Sequence, residues 1–158
     1  MIKQATWTDI ERVAKAMRAD HRSACAVAGT DDPVTAIQVL SALRFVGVTI
    51  WKDDEPIIAC GAVFLHRGVA SSFMYATDRW PEVATEAREF LGHTAKRILT
   101  TAGIHRLQIL GMTGDPLVDL WRQASGAERE SVLAKYGKNG EDFDLFVCHL
   151  QAPVALAS

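Results

Sequence analysis

The chain has 158 residues, of which 49% are hydrophobic and 23% are charged, and its formal net charge at pH 7 is -2. This balance is typical of a single globular domain, and it excludes the strongly basic surface of a nucleic-acid-binding protein. No run is long and apolar enough for a membrane span, and charged residues interrupt the N-terminal stretch. We therefore expect neither a transmembrane helix nor a signal peptide.

The first predicted elements are a short strand at residues 2–5 and an amphipathic helix that follows it. Thr8 precedes Glu11 by three residues, and this capping-box spacing predicts the start of the helix. Its basic residues, Arg18 among them, are expected to face solvent, and its core face consists of Ile10, Val13, Ala14 and Met17. Further helical segments are predicted at residues 21–28 and 34–43.

A β-hairpin is predicted next, with strands at residues 45–51 and 57–65 on either side of a polar turn. Gly61 lies inside the second of these strands. A glycine at such a position indicates a bulge or a close approach between backbones.

The middle of the chain has the pattern of a βαβα unit. A strand at residues 69–76 is followed by an amphipathic helix at 82–101, a strand at 105–110 and a short helix at 116–124. This order predicts two parallel neighbouring strands joined by a right-handed crossover. Strands at 128–135 and 142–150 complete the pattern.

The complete order is β-α-α-β-β-β-α-β-α-β-β, which predicts one α/β (α+β) domain over residues 1–150. Its mixed sheet would have about six or seven strands and helices on its faces. Residues 151–158 are small and apolar, and we expect a loosely held C-terminal tail.

This order resembles the fold of the GNAT superfamily of N-acetyltransferases. In that family an Asn precedes the last helix, which ends in the pattern aromatic-Tyr-x-x-x-Gly-Phe. Counting back from Gly126 places Asp115 at the Asn, Trp121 at the aromatic residue and Arg122 at the Tyr.

Three short stretches carry a second, narrower resemblance. They are residues 2–5 with Thr8 and Asp9, the Tyr-Ala-Thr-Asp-Arg-Trp run at 75–80, and Gly126-Ala127. In this order they are similar to GNAT-like internal virion (core) proteins of short-tailed bacteriophages. That resemblance implies a virion location and contacts with other phage virion proteins.

The GNAT resemblance also implies a place for acetyl-CoA, a turn of the form Arg/Gln-x-x-Gly-x-Gly/Ala that opens the central helix. Its glycines let backbone N–H groups approach the pyrophosphate. This chain has Arg-Trp-Pro-Glu-Val-Ala at residues 79–84 instead. Pro81 removes one N–H donor, and Glu82 places a negative charge against the phosphates. We therefore expect no cofactor.

Other chemistry is not predicted from the side chains. Asp78 and Glu82 could form a general-base pair, but helix capping and a favourable interaction with the helix dipole are the preferred interpretations. The five histidines and three cysteines show no metal-ligand spacing. We expect reduced, buried thiols at Cys25, Cys60 and Cys148.

Two functional hypotheses follow, and a plain binding module remains a third. The main hypothesis is a non-catalytic virion component in a homo- or hetero-oligomeric assembly, with Trp80 and Trp121 as interface candidates and no catalytic or metal-binding residue. The alternative is a cytoplasmic, acetyl-CoA-dependent N-acetyltransferase with a divergent cofactor loop. Its cofactor would then contact Tyr75, Ala76, Arg79, Val83, Asp115 and Arg122. Arg122 replaces the Tyr that protonates the leaving thiolate in many family members, which favours the main hypothesis.

Overall fold

The computed structural model of the chain describes residues 1–18, 32, 34–35, 38 and 41–151. The segment predicted as helical at 21–28, residues 36–37 and 39–40 of the one predicted at 34–43, and Cys25 lie outside the described residues. The same is true of the predicted tail after Gln151.

Seven strands form one mixed sheet in the order β1-β2-β3-β4-β5-β7-β6. Every neighbouring pair is antiparallel except β4 and β5, which are parallel. This arrangement confirms the predicted single α/β domain with a mixed sheet. The strands are β1 (Ile2–Gln4), β2 (Phe45–Lys52), β3 (Glu55–His66), β4 (Val69–Ala76), β5 (Arg106–Met112), β6 (Glu128–Leu133) and β7 (Phe143–His149).

The described helices lie on both faces of the sheet. They are α1 (Trp7–Lys15), α2 (Ala84–Glu89), α3 (Ala95–Thr101) and α4 (Pro116–Ser125). A 3₁₀ helix (Trp80–Val83) precedes α2, and a π-helical turn (Phe90–Thr94) joins α2 to α3. None of the helices in the described part of the chain has the length and apolarity that crossing a membrane requires.

The single helix predicted at 82–101 is therefore a succession of three helix types. The π-helical turn contains Gly92, where a Cβ atom would lie 3.4 Å from the carbonyl oxygen of Ala124 in α4. An alanine at this position would make an ordinary van der Waals contact with α4.

The hydrophobic core has two parts, one on each face of the sheet, because alternate strand residues point to opposite faces. Helix α1 covers the smaller part, formed by Ile10, Val13, Ala14, Met17, Ala59, Val63, Phe73 and Tyr75. Helices α2, α3 and α4 cover the larger part, which includes Ile58, Cys60, Leu91, Leu99, Leu107, Leu117, Leu120, Trp121 and Phe146.

The start of α1 differs from the predicted capping box. Thr6, and not Thr8, is the N-cap residue, and its hydroxyl oxygen accepts a hydrogen bond from the backbone N–H of Asp9 at 3.2 Å. The same hydroxyl donates to the Asp9 carboxylate at 2.8 Å. A threonine with an acidic residue three positions later thus occurs twice here, and the earlier pair caps the helix.

The prediction of a close backbone approach at Gly61 is confirmed. A Cβ atom there would lie 2.1 Å from the carbonyl oxygen of Val46 and 2.7 Å from the Cα atom of Gly47 on β2. No side chain fits into this space, so the pairing of β2 with β3 depends on glycine at this position.

Strands β4 and β5 pair only at their beginnings. Their register comprises Val69 with Arg106, Ala70 with Leu107 and Ser71 with Gln108, and it ends there. Strand β4 nevertheless continues to Ala76 and β5 to Met112. The strands therefore separate towards their C-terminal ends, and their pairing at the other end confirms the predicted parallel neighbours.

Candidate functional site

Arg18, three residues beyond the end of α1, lies at the C-terminal end of β4. The backbone N–H of Arg18 donates to the carbonyl oxygen of Ala76 at 3.1 Å, and Met17 forms an isolated antiparallel bridge with Thr77. The Arg18 guanidinium donates through Nη2 to both carboxylate oxygens of Asp115, at 2.6 and 2.8 Å. Arg18 thus links the end of β4 to the start of α4.

This ion pair also connects the two faces of the sheet. Helix α1 packs on one face and α4 on the other, and the Arg18–Asp115 contact joins them at the C-terminal ends of β4 and β5. Arg18 is 6% exposed and Asp115 is 7% exposed. Because the pair is buried, its charges are screened from each other far less than surface charges would be.

Asp115 is held in place by the helix that it opens. It is the N-cap residue of α4, its Oδ1 atom accepts a hydrogen bond from the backbone N–H of Leu117 at 2.9 Å, and Pro116 occupies the first turn. Arg18 is less fully satisfied, because its Nε atom is buried and has no hydrogen-bond partner among the described residues.

The edge of β4 that faces the gap carries backbone polar groups. The N–H of Thr77 donates to Ile57 on the β3 side, whereas the carbonyl of Ala76 accepts from Arg18 on the other side. Backbone groups of alternate residues point to the same edge of a strand. The N–H and C=O of Met74 therefore point to the gap, beyond the last residue of β4 that is in register with β5.

The turn after β4 has few free N–H donors. Arg79 donates its backbone N–H to the Thr77 hydroxyl at 3.3 Å, and Trp80 donates to the Thr77 carbonyl at 3.1 Å. Pro81 has no N–H, and Glu82 donates to the Arg79 carbonyl at 3.0 Å. This turn therefore lacks the free donors with which a helix start binds phosphate.

The Arg79 side chain is engaged by three carboxylates. It contacts Asp53 at 2.6 Å, Glu55 at 2.8 Å and Glu82 at 2.9 Å, and Lys52 lies 3.5 Å from Glu82. The hydrogen bond from Arg79 lowers the pKa of Glu82 to about 2, and the same bond raises the pKa of Arg79. These carboxylates are exposed, so solvent and salt weaken the network.

One expectation for this turn is wrong. Arg79, and not Asp78, is the N-cap residue of the 3₁₀ helix, and no side chain caps that helix. Glu82 lies in the first turn of the helix, and it also forms ion pairs with Arg79 and Lys52.

Comparison with known proteins gives a clear result for the fold. No protein-family model matches the chain, and the curated proteins give no match. Solved structures match over almost the whole chain. One is the ribosomal-protein-S18-alanine N-acetyltransferase from Escherichia coli, with a TM-score of 0.72, 14% identity, and coverage of 100% of this chain and 99% of that one. The chain has the GNAT fold.

Two further matches were determined with acetyl-CoA. One is a GNAT superfamily phosphinothricin acetyltransferase from Sinorhizobium meliloti, with a TM-score of 0.71, 14% identity, and coverage of 99% of this chain and 91% of that one. The other is a protein from Salmonella typhimurium, with a TM-score of 0.63, 12% identity, and coverage of 100% and 98%. These complexes contradict the expectation of no cofactor, and the comparisons give the virion resemblance no support.

Within the GNAT fold, the predicted contact residues do not form one cluster. Ala76 and Asp115 lie on either side of the gap and are joined by Arg18. Val83 is buried in the core, and Arg79 is engaged by carboxylates. The cofactor contacts predicted for all six residues stay a prediction.

The remaining two of those six residues have other partners. Tyr75 is buried against the α1 face of the sheet. The Arg122 guanidinium lies over the ring of Phe146, 5.6 Å from its centroid, and 3.9 Å from the Asp119 carboxylate.

The two tryptophans proposed as interface candidates pack within the domain. Trp121 is 6% exposed and belongs to the larger part of the core, so the expectation that it forms an external interface is wrong. Trp80 is half-buried and packs against the same core. Its part in an assembly stays a prediction.

Arg18 was predicted to face solvent, and this prediction is wrong because the side chain is buried. Helical periodicity gave no signal for its burial, because Arg18 lies beyond the last residue of α1. Its partner Asp115 lies 97 residues away, and a contact at that separation has no local pattern.

The two described cysteines are buried, and the described residues form no cluster that could hold a metal ion. Cys60 and Cys148 are free and buried, as predicted, and burial raises the pKa of the Cys60 thiol to about 12. Among the residues that the structure describes, no group of three or more His, Cys, Asp or Glu side chains could hold a metal ion.

Proposed function

We propose that the protein is an acetyl-CoA-dependent N-acetyltransferase with a divergent cofactor turn. The observation that carries this proposal is the separation of β4 from β5 after three parallel residue pairs. Beyond these three pairs, backbone N–H and C=O groups of β4 face the gap between the two strands. Structures of the same fold that hold acetyl-CoA support the proposal.

The pantetheine arm of acetyl-CoA has the chemistry to occupy such a gap. It is an extended chain with two amide groups, and a strand edge with unpaired N–H and C=O groups binds extended chains through backbone hydrogen bonds. In this protein the N–H and C=O of Met74 are the groups that would pair with the arm. This contact does not depend on glycines at the start of the following helix.

The diphosphate would be bound less well than the arm. Backbone N–H groups at residues 79–82 are engaged or absent, and the Arg79 guanidinium is shared among the carboxylates of Asp53, Glu55 and Glu82. A diphosphate must compete with these carboxylates for Arg79. We therefore expect cofactor affinity to be modest.

The proposed reaction is transfer of the acetyl group to an amine. The amine nitrogen attacks the thioester carbonyl carbon, a C–N bond forms, the C–S bond breaks, and CoA leaves as a thiolate. The amine loses a proton to solvent, and the thiolate takes one up. Arg122 cannot supply that proton, because a guanidinium stays protonated at any relevant pH.

A thiol-release assay tests the proposal. The full chain is incubated with acetyl-CoA and a panel of amines that includes free amino acids, peptide N-termini and polyamines. We expect at least one amine to raise thiol release above the rates without protein and without amine. Absence of release with every amine, together with absence of saturable acetyl-CoA binding, would overturn the proposal.

A further inference from the structure

An open cleft lies at the end of the sheet where β4 and β5 begin, opposite to the gap between their C-terminal ends. Its volume is about 430 Å³. Its walls come from the residue before β2, from the turn between β3 and β4, and from the segment that follows α3. Clefts for small molecules have volumes of about 300–1,000 Å³, so this one has the size to hold a small ligand.

The cleft is lined by cationic side chains and by no described acidic one. Arg44 and Arg67 contribute guanidinium groups, and His66 contributes an imidazole. Within the part of the chain that the structure describes, neither arginine forms an ion pair. A guanidinium stays protonated at any relevant pH. The cleft thus carries positive charge that no described carboxylate compensates.

The acidic residues of the chain lie outside the segments that form this cleft. Residues 33–52, 56–77 and 90–114 contain no Asp or Glu, although the whole chain has 19 of them. Glu130 reaches the start of β5, but Arg106 engages its carboxylate at 2.7 and 2.8 Å. Uncompensated positive charge at one end of a chain with a net charge of -2 favours an anionic ligand there.

Backbone contacts hold the two arginine positions in place. The Arg44 guanidinium lies over the Phe64 ring, 5.2 Å from its centroid, and the Arg44 carbonyl accepts from the N–H of Phe64 at 2.9 Å. In the β3–β4 turn, the carbonyl of Gly68 accepts from the N–H groups of His105 and Arg106 at 2.9 and 3.1 Å. These bonds fix the two backbone segments from which the guanidinium groups extend.

The neighbouring helix end indicates which kind of anion fits. Helix α3 ends beside the cleft, and a helix C-terminus carries the negative end of the helix dipole. Phosphate groups are usually bound at helix N-termini instead. A guanidinium matches the planar carboxylate through two parallel hydrogen bonds. Two arginines on separate segments therefore suit two separate carboxylates better than one phosphate with its concentrated charge.

We propose that this cleft binds a small organic dicarboxylate, with one carboxylate on Arg44 and the other on Arg67. A ring N–H of His66 supplies a further donor. The inference goes beyond the acetyltransferase proposal and does not depend on it, because the cleft lies at the beginnings of β4 and β5 and the gap lies at their ends.

Titrations of the full chain, followed through backbone amide NMR signals at constant pH and ionic strength, test this proposal. The probes are succinate, glutarate and adipate, each compared with the monocarboxylate of the same chain length. Inorganic phosphate and a capped Glu-Glu dipeptide are further probes. The amide signals of Gly68 and Gly103 report on the cleft, and that of Gly114, beyond the far end of β5, is the control signal.

At least one dicarboxylate should bind about tenfold more tightly than its matched monocarboxylate, because its second carboxylate gains further charged hydrogen bonds. It should also bind more tightly than phosphate and the dipeptide. Arg44→Gln and Arg67→Gln should each reduce its affinity about tenfold. Arg88→Gln, at an exposed position of α2 outside the cleft, is the matched control and should bind as the wild type does.

Absence of shifts at Gly68 and Gly103, or equal affinities within all three pairs of acids, would overturn the proposal even if a variant failed to fold. Tighter binding of phosphate would identify a phosphate site, and tighter binding of the dipeptide would identify a docking site for an acidic protein segment. Either result would overturn the assignment to a small dicarboxylate. Unchanged affinity in both folded cleft variants would overturn it as well.

Discussion

Arg18 and Asp115 form a buried ion pair between residues 97 positions apart, with one guanidinium nitrogen 2.6 and 2.8 Å from the two carboxylate oxygens. The pair joins the segment after α1, which packs on one face of the sheet, to α4 on the other face, at the C-terminal ends of β4 and β5. Removing one member of a buried pair leaves the other charge without compensation, and this costs more than the pair itself contributes.

We therefore expect Asp115→Asn to lower the free energy of unfolding by about 3–5 kcal/mol. Asparagine retains N-capping ability, so the change isolates the loss of the charge. Urea unfolding followed by circular dichroism measures the effect. Asp119→Asn, at a half-exposed position of the same helix, should change the free energy of unfolding by less than about 1 kcal/mol. Equal effects of the two substitutions would show that the buried pair is not important for stability.

The Glu82 carboxylate should make stability depend on pH in acid. Its pKa is lowered from 4.5 in an unfolded chain to about 2 by the hydrogen bond from Arg79. A carboxylate with a lowered folded-state pKa stabilises the protein above its unfolded pKa, and the stabilisation is lost as the pH falls through the folded value. The wild-type protein should thus be more stable than Glu82→Gln at neutral pH.

This difference should shrink as the pH falls from about 4.5 to about 2, and it should be smaller in high salt because the network is exposed. Urea unfolding at several acid pH values and two salt concentrations provides the measurement. Glu89→Gln, at an exposed position of α2, is the control. A difference between wild type and Glu82→Gln that does not change with pH would contradict the assigned ion pair.

The order of the elements could be predicted because it depends on local patterns. The strand at 69–76 has the predicted bounds, and its parallel partner follows from the crossover helix between them. The π-helical turn at Phe90–Thr94 was missed, because one extra residue in a helical turn changes the apolar spacing very little. The N-cap of α1 was predicted at Thr8 instead of Thr6. Both threonines are followed by an acidic residue three positions later, so the capping-box spacing alone does not distinguish them.

The site could be predicted only in part. Ala76 and Asp115, which were proposed as cofactor contacts from the family resemblance, end a strand and begin a helix on either side of the gap. The residue that joins them, Arg18, was missed, because its burial results from tertiary packing beyond the end of α1. The absence of a cofactor was predicted mainly from the turn at residues 79–84. The gap between β4 and β5 instead depends on the strand pairing, which ends at Ser71 and Gln108.

Gly61→Ala should destabilise the protein, since its Cβ atom would lie 2.1 Å from the backbone oxygen of Val46. Forcing an atom into a packed region costs about 1–3 kcal/mol. Gly92→Ala is the matched control, because its Cβ atom would meet only Ala124 at 3.4 Å and alanine favours a helix. Thermal unfolding should show a midpoint below that of the wild-type protein for Gly61→Ala only. Equal midpoints would contradict the close approach of β2 and β3.

Met74→Pro should weaken acetyl-CoA binding through the loss of one N–H group at the edge of β4. Met74→Ala removes the same buried side chain but keeps the N–H, so it corrects for the loss of packing. A lost backbone hydrogen bond of about 1 kcal/mol reduces affinity by about fivefold. We expect that reduction for proline relative to alanine, measured by calorimetry on folded proteins. Equal affinities of the two variants would show that the cofactor does not pair with this edge.

Calorimetric titration of the full chain with acetyl-CoA, into the millimolar range and at low salt, tests the proposed function most directly. We expect saturable binding with one site per chain. Titration with ADP alone should give much weaker binding, because the turn at residues 79–82 offers the diphosphate few donors. Absence of saturable acetyl-CoA binding would contradict the account.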